Sequence, residues 1–295
     1  MLSAKRLKKI QLLKTKKGRL KEKLFLIEGK RSIENYIFQS NIVKDIVISD
    51  TEIKYNKPII DLCIQKKIEL ITVPNKIISK LSDTKTPSGL IGICKIITPE
   101  KIDLNAKRWL YLHKIKDPGN MGTLLRTAAW FNIKNIALSV DSADPFNNKV
   151  VRSAMGAHTY INIYQKIDVV TFIKKGYLLI GADQNGKSQL EDTEYTKKIM
   201  LCLGSEAEGF DKSFKNNLDR LISIKKIGQG ESLNVAIAGS ILMNEISIKL
   251  LKNLPLPYAI STIGYFVSIP VFCDAAFVIL SNINKTLAKK TKTSF

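Results

Sequence analysis

The sequence is poor in acidic residues, in cysteine and in histidine. Its 295 residues include only 26 Asp and Glu against 47 Lys and Arg, which leaves a formal net charge of +21. A charge of this size excludes an enzyme of neutral surface and indicates a polyanionic partner, either a nucleic acid or an anionic membrane. Hydrophobic residues make up 45% and charged residues 25% of the chain, which excludes wholesale disorder.

Cysteine and histidine are too sparse to build a metal site. None of the cysteines has a second one at the spacing of a zinc site or of a disulfide framework, and two histidines suggest structural roles. The N terminus also lacks the apolar region of a secretory signal. This usage predicts a protein without a metal in the reducing cytoplasm. The residues concerned are Cys63, Cys94, Cys202, Cys273, His113 and His158.

Two explanations compete for the basic charge. Forty of the 47 basic residues are lysine, and the chain is rich in Ile and Asn, as drift toward AT-rich codons would produce. Codon drift does not explain where the basic residues lie in the chain. Residues 1–30 hold eleven basic residues and only two acidic ones, Glu22 and Glu28. Such a cluster is typical of a nucleic-acid patch or of a solvated helix face. The candidates for RNA contact are Lys8, Lys9, Lys14, Lys16 and Lys17.

Alternating apolar runs and helical stretches divide the chain into two α/β units. Residues 1–97 combine a basic helix over 1–23 with four strands that alternate with helices. Residues 98–106 are polar, contain a proline and are predicted to be a linker. In residues 107–252, strands followed by helices predict a mostly parallel sheet, and a long helix ends the unit.

Residues 253–295 have a different composition. The 258–280 stretch is mostly apolar and long enough to cross a bilayer, but it contains Pro270 and Asp274, and basic residues flank it on both sides. A single span would carry one basic flank across the membrane, against the positive-inside tendency. The favoured interpretation is a C-terminal helix that packs on the domain or on a partner subunit, and a membrane span is the alternative.

Three short motifs lie in the second unit. The first, DPGNMGTLLRTA (117–128), is predicted to be an Asp-Pro-Gly-Asn turn followed by a helix that opens at Gly122 and carries Arg126. Backbone N–H groups exposed at such a turn can receive the polar edge of a ligand. Taken alone, the motif also fits an ordinary turn before a helix with a surface arginine.

The other two motifs also follow strands. LGSEAEGF (203–210) places two glycines around Glu206 and Glu208, so that the loop can wrap closely around a ligand. GQGESLNVAIAG (228–239) leads into a helix for which Ser232 is the predicted N-cap. Each also fits a strand-to-helix turn with ordinary capping.

In this order the three motifs resemble those of the SpoU family of RNA ribose 2′-O-methyltransferases, within the SPOUT class. The family pattern Asn-x-Gly-x-x-x-Arg-x-Ala matches residues 120–128, Gly-x-Glu-x-x-Gly matches 204–209, and Ser-Leu-Asn-Val matches 232–235. The resemblance covers 107–252. Residues 20–97 resemble the family's N-terminal substrate-binding domain, which is similar to small ribosomal RNA-binding proteins.

The resemblance implies a trefoil-knotted domain, S-adenosylmethionine as cofactor, and a homodimer that completes each active site. Knots are rare, so periodicity alone does not predict one. The cofactor's adenosine is implied to meet the backbone of Gly204, Ile224 and Leu233. One departure bears on cofactor affinity: Lys225 and Lys226 stand where the family usually has Pro-Met. The implied catalytic residues are Arg126, Asn120, Glu206, Ser232 and Asn234.

The sequence therefore predicts an S-adenosylmethionine-dependent RNA ribose 2′-O-methyltransferase that acts on ribosomal RNA. Transfer RNA is the alternative substrate. A non-catalytic RNA-binding protein is the alternative function, although a binder has no need of the motif residues. A dinucleotide-dependent oxidoreductase is excluded, because no G-x-G-x-x-G follows the first strand.

Overall fold

The computed structural model describes residues 3–186 and 198–252. Residues up to Glu245 form one compact unit, and those from Ile246 onward form a second, of which only the helical segment to Lys252 is described. Within the described residues, no helix is long and apolar enough to cross a membrane. The apolar stretch 258–280 lies outside them.

The chain starts with two short helices, so the prediction of a single helix over residues 1–23 is wrong. Helix α1 (Ala4–Leu12) ends because the hydroxyl of Thr15 donates to the carbonyl of Leu12 and accepts from the amide of Gly18. Thr15 thereby caps α2 (Lys16–Glu22). A side chain at Gly18 would collide with the Leu12 carbonyl, so glycine permits this tight junction.

A four-stranded mixed sheet follows, with helices between its strands as predicted. Strand β4 is antiparallel to both of its neighbours, β1 and β2, and β2 is parallel to β3, in the order β1-β4-β2-β3. The elements are β1 (Leu24–Glu28), α3 (Lys30–Gln39), β2 (Val43–Ser49), a 3-10 helix (Asp50–Tyr55), α4 (Lys57–Gln65), β3 (Glu69–Val73), α5 (Asn75–Leu81) and β4 (Leu90–Lys95).

The second sheet has six strands, all parallel, in the order β10-β8-β9-β5-β6-β7. The predicted parallel sheet is confirmed, but β7 was not predicted because it has only four residues, two of them polar. The trefoil knot stays a prediction. The elements are β5 (Arg108–Leu112), α6 (Pro118–Trp130), β6 (Asn135–Leu138), α7 (Asn148–Ala154), a 3-10 helix (Ala157–Thr159), β7 (Asn162–Gln165), α8 (Val170–Ile173), β8 (Leu178–Ala182), β9 (Ile199–Leu203), α9 (Lys212–Lys215), β10 (Arg220–Ile222) and α10 (Val235–Lys252).

Helix α6 begins at Pro118, so the predicted free-standing turn and the helix start at Gly122 are wrong. The carboxylate of Asp117 caps the helix by accepting from the amide of Asn120, and proline suits the first helical position. Gly122 lies inside the helix where α7 crosses it. A Cβ there would lie 2.6 Å from the carbonyl oxygen of Val150, so glycine allows the two helices to touch.

The segment between the two sheets has neither helix nor strand from residue 96 to 107. It nevertheless packs along the second sheet. The Tyr177 hydroxyl donates to the carbonyl of Ala106 at 2.5 Å, and the Lys198 ammonium donates to that of Leu104 at 2.6 Å. Ile102, Leu104 and Ala106 pack against the core around Trp109.

Candidate active site

The loops that follow β5, β9 and β10 meet at the carboxyl edge of the second sheet. The side-chain nitrogen of Asn120, on α6, donates to Oε1 of Glu206 at 3.1 Å. The side-chain nitrogen of Asn234, before α10, donates to Oδ1 of Asn120 at 3.0 Å. The structure thus joins one residue from each of the three motifs in a continuous hydrogen-bond chain.

The direction of this chain follows from the chemistry of its ends. A carboxylate only accepts hydrogen bonds, so Asn120 must present its NH₂ group to Glu206 and its oxygen to Asn234. The side-chain oxygen of Asn234 then accepts from the amides of Ala236 and Ile237, at 2.9 and 3.3 Å, at the start of α10. Asn234 therefore caps α10, and the predicted N-cap at Ser232 is wrong.

Glu206 lies in a loop that closes on itself. Ser205 and Gly209 exchange backbone hydrogen bonds at 3.0 Å, and Gly209 has a φ of +62°. A Cβ at the buried Gly204 would lie 2.6 Å from the carbonyl carbon of Gly209, which excludes any side chain there. Glycine at position 204 thus permits the turn that presents Glu206 to Asn120.

Asp211 anchors the end of this loop, a contact that sequence reasoning missed. Its carboxylate accepts from the ammonium of Lys114 at 2.8 Å, lies 3.2 Å from Nε2 of His113, and caps α9 through the amide of Phe214. Hydrogen bonds from Lys114, Ser213 and the Phe214 amide hold the pKa of Asp211 well below its ordinary range. Burial lowers the pKa of His113, although the nearby carboxylate of Asp211 acts in the opposite direction.

His113 has the structural role that was expected. Its ring is buried, and it packs against the rings of Phe214, at a centroid distance of 4.1 Å, and Phe210. His158 is also structural, since its Nε2 lies 2.8 Å from the carbonyl oxygen of Pro145. Burial lowers the pKa of His158 from 6.5 to about 4.

Arg126 does not join the hydrogen-bond chain. It is exposed on α6 and makes no hydrogen bond or ion pair within residues 3–186 and 198–252. Six residues after Asn120, it lies about 9 Å further along the helix and on another side of it. Its guanidinium is therefore available to a group from outside this part of the chain.

Helices α6 and α10 pack side by side in the same direction. Asn120 contacts Asn234, and further along the Thr127 hydroxyl lies 3.1 Å from that of Ser240. Trp130, on α6, is 47% exposed, and Ile237, on α10, is 53% exposed. Arg126 and Trp130 are four residues apart on α6, so Arg126 lies beside a large exposed apolar side chain.

The implied cofactor residues lie around the same loops. Gly204 directly follows β9, Ile224 follows β10 and is half-buried, and Leu233, beside Asn234, is 50% exposed. Ser232 is exposed and makes no hydrogen bond within the part of the chain that the structure describes. Lys226 turns back on its own loop and donates to the carbonyl of Gly230 at 2.5 Å.

These residues fit S-adenosylmethionine. The loop residues around Leu233 are exposed and can be reached by an adenine ring. The only charged group of the hydrogen-bond chain, Glu206, is an anion that suits a sulfonium. The bond from Lys226 to Gly230 directs that ammonium group to a carbonyl of its own loop.

The five candidate RNA-binding lysines fall into two groups. Lys9 pairs with Glu22 at 2.5 Å, and Lys14 pairs with Asp83 at 2.7 Å. The other three are exposed and have no ion pair among the described residues. They are Lys8, on α1, and Lys16 and Lys17, on α2.

Known proteins resemble this chain in both of its parts. Residues 107–244 match the SpoU rRNA Methylase family, and residues 4–92 match the MRM3-like substrate binding domain. A putative RNA methyltransferase of the TrmH family from Porphyromonas gingivalis is 30% identical, with a TM-score of 0.71 over 83% of this chain and 98% of that one. The chain belongs to the SpoU family.

Two further proteins place this SpoU methyltransferase among its relatives. The 23S rRNA (guanosine(2553)-2'-O)-methyltransferase RlmP of Bacillus subtilis is 29% identical over 236 residues, which are 78% of this chain and 91% of that protein. The SpoU methyltransferase AviRb of Streptomyces viridochromogenes, solved with AdoMet, shares the fold at a TM-score of 0.75 and 20% identity over 84% of this chain and 98% of that one.

Membership confirms the family resemblance found in the sequence. The protein is an RNA methyltransferase of this family. RNA is its substrate.

Proposed function

We propose that this protein methylates the ribose 2′-hydroxyl of one nucleotide in ribosomal RNA. The observation that carries the proposal is the hydrogen-bond chain Glu206–Asn120–Asn234, which brings the three motifs to one edge of the sheet. The Bacillus subtilis relative is named for a 2′-O-methylation of 23S rRNA, and this chain covers 91% of it. That coverage supports ribosomal RNA over transfer RNA.

The reaction requires alignment of two reactants and removal of one proton. S-adenosylmethionine supplies a methyl group on a positively charged sulfur, which leaves as a neutral thioether. The protein must hold the 2′-hydroxyl in line with that methyl group, exclude water and accept the hydroxyl proton. No developing negative charge on the leaving group needs stabilisation.

Arg126 and Glu206 divide the remaining work. A guanidinium stays protonated, so Arg126 is assigned to grip the phosphate beside the target ribose and to lower the effective pKa of its hydroxyl. Glu206 orients the hydroxyl or accepts its proton, since it is the carboxylate that the chain of asparagines holds in place. Asn120 holds this carboxylate, Asn234 holds Asn120, and Ser232 is assigned to the ribose.

The cofactor is assigned to the loops that follow β9 and β10. We assign the contacts with adenosine to the backbone of Gly204, Ile224 and Leu233. Gly204 supports this role by allowing the tight turn of its loop, and Leu233 by its exposed apolar side chain. The loop at Lys225 lacks the family's proline, and the bond from Lys226 to Gly230 restrains it instead.

A homodimer in the cytoplasm completes the proposal. Within one subunit Arg126 is exposed one helical turn before the exposed Trp130, on the same side of α6. A second subunit placed on this side of α6 would cover Trp130, and Arg126 of the partner subunit would then complete the site. The sparse cysteines, without a disulfide framework, support the reducing cytoplasm as its compartment.

The RNA is assigned to the exposed lysines of α1 and α2. A lysine without an internal partner can neutralise a phosphate without first giving up an ion pair. Lys8, Lys16 and Lys17 meet this condition, whereas Lys9 and Lys14 already neutralise carboxylates. The predicted cluster of five is therefore divided into three contact residues and two that support the fold.

Mapping of 2′-O-methyl groups in RNA from a deletion strain tests the function. We expect one ribosomal site to disappear and to return when the gene is restored. Purified protein should bind S-adenosylmethionine in a calorimeter and methylate the same site in ribosomal RNA from the deletion strain. Loss of a transfer-RNA site with every ribosomal site intact would overturn the proposed substrate, and absence of cofactor binding would favour a non-catalytic RNA-binding protein.

A further inference from the structure

We propose that Arg19 and Asp144 are positioning residues. They hold the RNA-binding part of the chain (residues 3–95) rigidly on the methyltransferase part (residues from 108 onward). The fixed distance between the bound RNA and the catalytic residues then selects the nucleotide to be methylated. This inference rests on the proposed function. It is carried by a buried ion pair, a shared hydrophobic core and a direct path from that interface to Asn120.

The ion pair joins residues that are far apart in the sequence. The guanidinium of Arg19, on α2, donates to Oδ2 of Asp144 through Nε at 2.9 Å and through Nη2 at 2.6 Å. Its remaining nitrogen, Nη1, donates to the carbonyls of Leu13 and Lys14. Arg19 is only 2% exposed. Every nitrogen of this buried guanidinium thus has a hydrogen-bond acceptor. These bonds form together only when the two parts have this relative orientation.

The burial of this charge favours the observed orientation of the two parts over others. Removing one partner of such a pair leaves the other charge without compensation, which costs several kcal/mol. An orientation of the two parts that separated Arg19 from Asp144 would meet the same penalty. Exposed ion pairs have no comparable effect, because water replaces the missing partner.

The two parts also share one hydrophobic core. Phe146 and Val151, from the methyltransferase part, belong to the cluster that includes Phe25 and Tyr36 of the first sheet and its helices. The ring of Phe25 lies 5.2 Å from that of Phe146 and 5.9 Å from that of His158. Rotation of one part on the other would expose these rings to water.

Two further polar contacts cross the same interface. Asn148, at the start of α7, donates to the carboxylate of Asp83, which also pairs with Lys14 at 2.7 Å. Burial alone would raise the pKa of Asp83, but Lys14 and Asn148 together lower it. Arg152, also on α7, lies 3.7 Å from Glu28 at the end of β1.

The interface is connected by packing contacts to α6, the helix that carries Asn120. Asp144 precedes α7, which packs against α6 where Gly122 leaves no space between them. Lys149 of α7 lies 3.7 Å from Asp117, the residue that caps α6. Asn120 is in the first turn of α6. The position of the first sheet and of α1–α2 is thereby set relative to Asn120.

The test uses Asp144→Asn, which removes the charge but keeps the shape of the side chain. Nitroxide labels at Ile64→Cys, on α4, and Ile173→Cys, on α8, report the distance between the two parts, with Cys273→Ser to avoid a third label. We expect a narrow distance distribution in the otherwise unaltered protein and a broad one in Asp144→Asn. Lys9→Gln is the matched control, since its ion pair lies within α1 and α2, and it should leave the distribution narrow.

Activity is then measured on ribosomal RNA from the deletion strain in single turnovers. In Asp144→Asn we expect the rate to fall about tenfold or more, and minor methylation sites to appear beside the principal one. S-adenosylmethionine affinity should change less than about twofold. If Asp144→Asn fails to fold, Asp83→Asn at the rim of the interface receives the same measurements.

The outcomes separate this inference from the proposed function. A folded variant with a narrow distance distribution and an unchanged rate would overturn the role of the ion pair. So would a loss of cofactor affinity as large as the loss of rate, because that would indicate general damage. If the unaltered protein methylates no ribosomal RNA, the proposed function fails, and the distance measurement still decides whether the two parts form a rigid body.

Discussion

Asn120 donates its side-chain hydrogen bond to Glu206, although 86 residues separate them in the sequence. The bond spans the loops at the ends of the adjacent parallel strands β5 and β9. Its direction depends on Asn120 having both a donor and an acceptor, because the same side chain accepts from Asn234.

The first prediction concerns this bond. Asn120→Asp should lower the methylation rate at least about 100-fold, because two carboxylates would face each other where a donor now meets an acceptor. Single-turnover rates with saturating cofactor measure the effect. Thr123→Ser, at an exposed position of the same helix, is the control and should retain the rate. A rate close to that of the unaltered protein would remove Asn120 from the catalytic group.

The second prediction concerns Arg126. Arg126→Ala should abolish methylation while S-adenosylmethionine affinity and thermal stability stay nearly unchanged, since the side chain is exposed and forms no hydrogen bond or ion pair with a described residue. Equal loss of activity and of cofactor binding would contradict the assignment to RNA.

Mixing two inactive variants tests whether Arg126 acts across a dimer. Arg126→Ala and Asn120→Ala subunits should regain activity when combined, because each mixed dimer would contain one site with both residues intact. Activity that stays absent in dimers shown by mass to be mixed would place Arg126 and Asn120 in the same subunit's site.

The third prediction separates the lysines of the N-terminal helices. Changing Lys8, Lys16 and Lys17 to Gln should weaken RNA binding and reduce the slope of log affinity against log salt by about 1 for each phosphate that is no longer neutralised. Changing Lys9 and Lys14 should instead lower the free energy of unfolding, by about 1 kcal/mol or less for each exposed pair. Filter binding at several salt concentrations and urea unfolding provide the two measurements. Equal slopes for the two variants would show that an internal ion pair does not distinguish the lysines that contact RNA from those that do not.

The fourth prediction concerns Gly204. Gly204→Ala should weaken cofactor binding and methylation together, because its Cβ would lie 2.6 Å from the backbone of Gly209 and displace the loop that holds Glu206. Calorimetry with S-adenosylmethionine checks it. Gly228→Ala is the matched control, since a Cβ there would meet nothing within 4 Å. Similar affinity in both variants would mean that the closed turn is not needed.

The fifth prediction concerns pH. Folding lowers the pKa of His158 from 6.5 to about 4, so the unfolded chain binds a proton more readily between these values. The stability that His158 confers is therefore present at neutral pH and is lost as pH falls below 6.5, by about 2 kcal/mol at pH 5. Urea unfolding at both pH values measures it. His158→Phe, which keeps a ring between Phe25 and Phe146, should lose less stability on acidification, and an identical loss would contradict the prediction.

Local patterns in the sequence predicted most helices and strands. The apolar runs that form β5, β6, β8 and β9 are buried strands of a parallel sheet, and the helices α6 and α7 that follow β5 and β6 were placed to within a few residues. Apart from the short strand β7, the errors discussed above lie where a side chain decides a helix end. Thr15 splits the first helix, Asp117 starts α6 earlier, and Asn234 starts α10 later than predicted. Such caps depend on single hydrogen bonds, which periodicity does not contain.

The sequence by itself determined the family, the alternation of strands and helices, and the residue types of the three motifs, because each is written in neighbouring residues. Only the tertiary structure decided which of those residues meet. It joined Glu206 to Asn120, left Arg126 outside their contact, and divided the lysines by placing Glu22 and Asp83 beside two of them. It also buried Arg19 against Asp144, 125 residues away. These contacts depend on how the two sheets and their helices pack together, and packing arises from the summed burial of many side chains rather than from any local run.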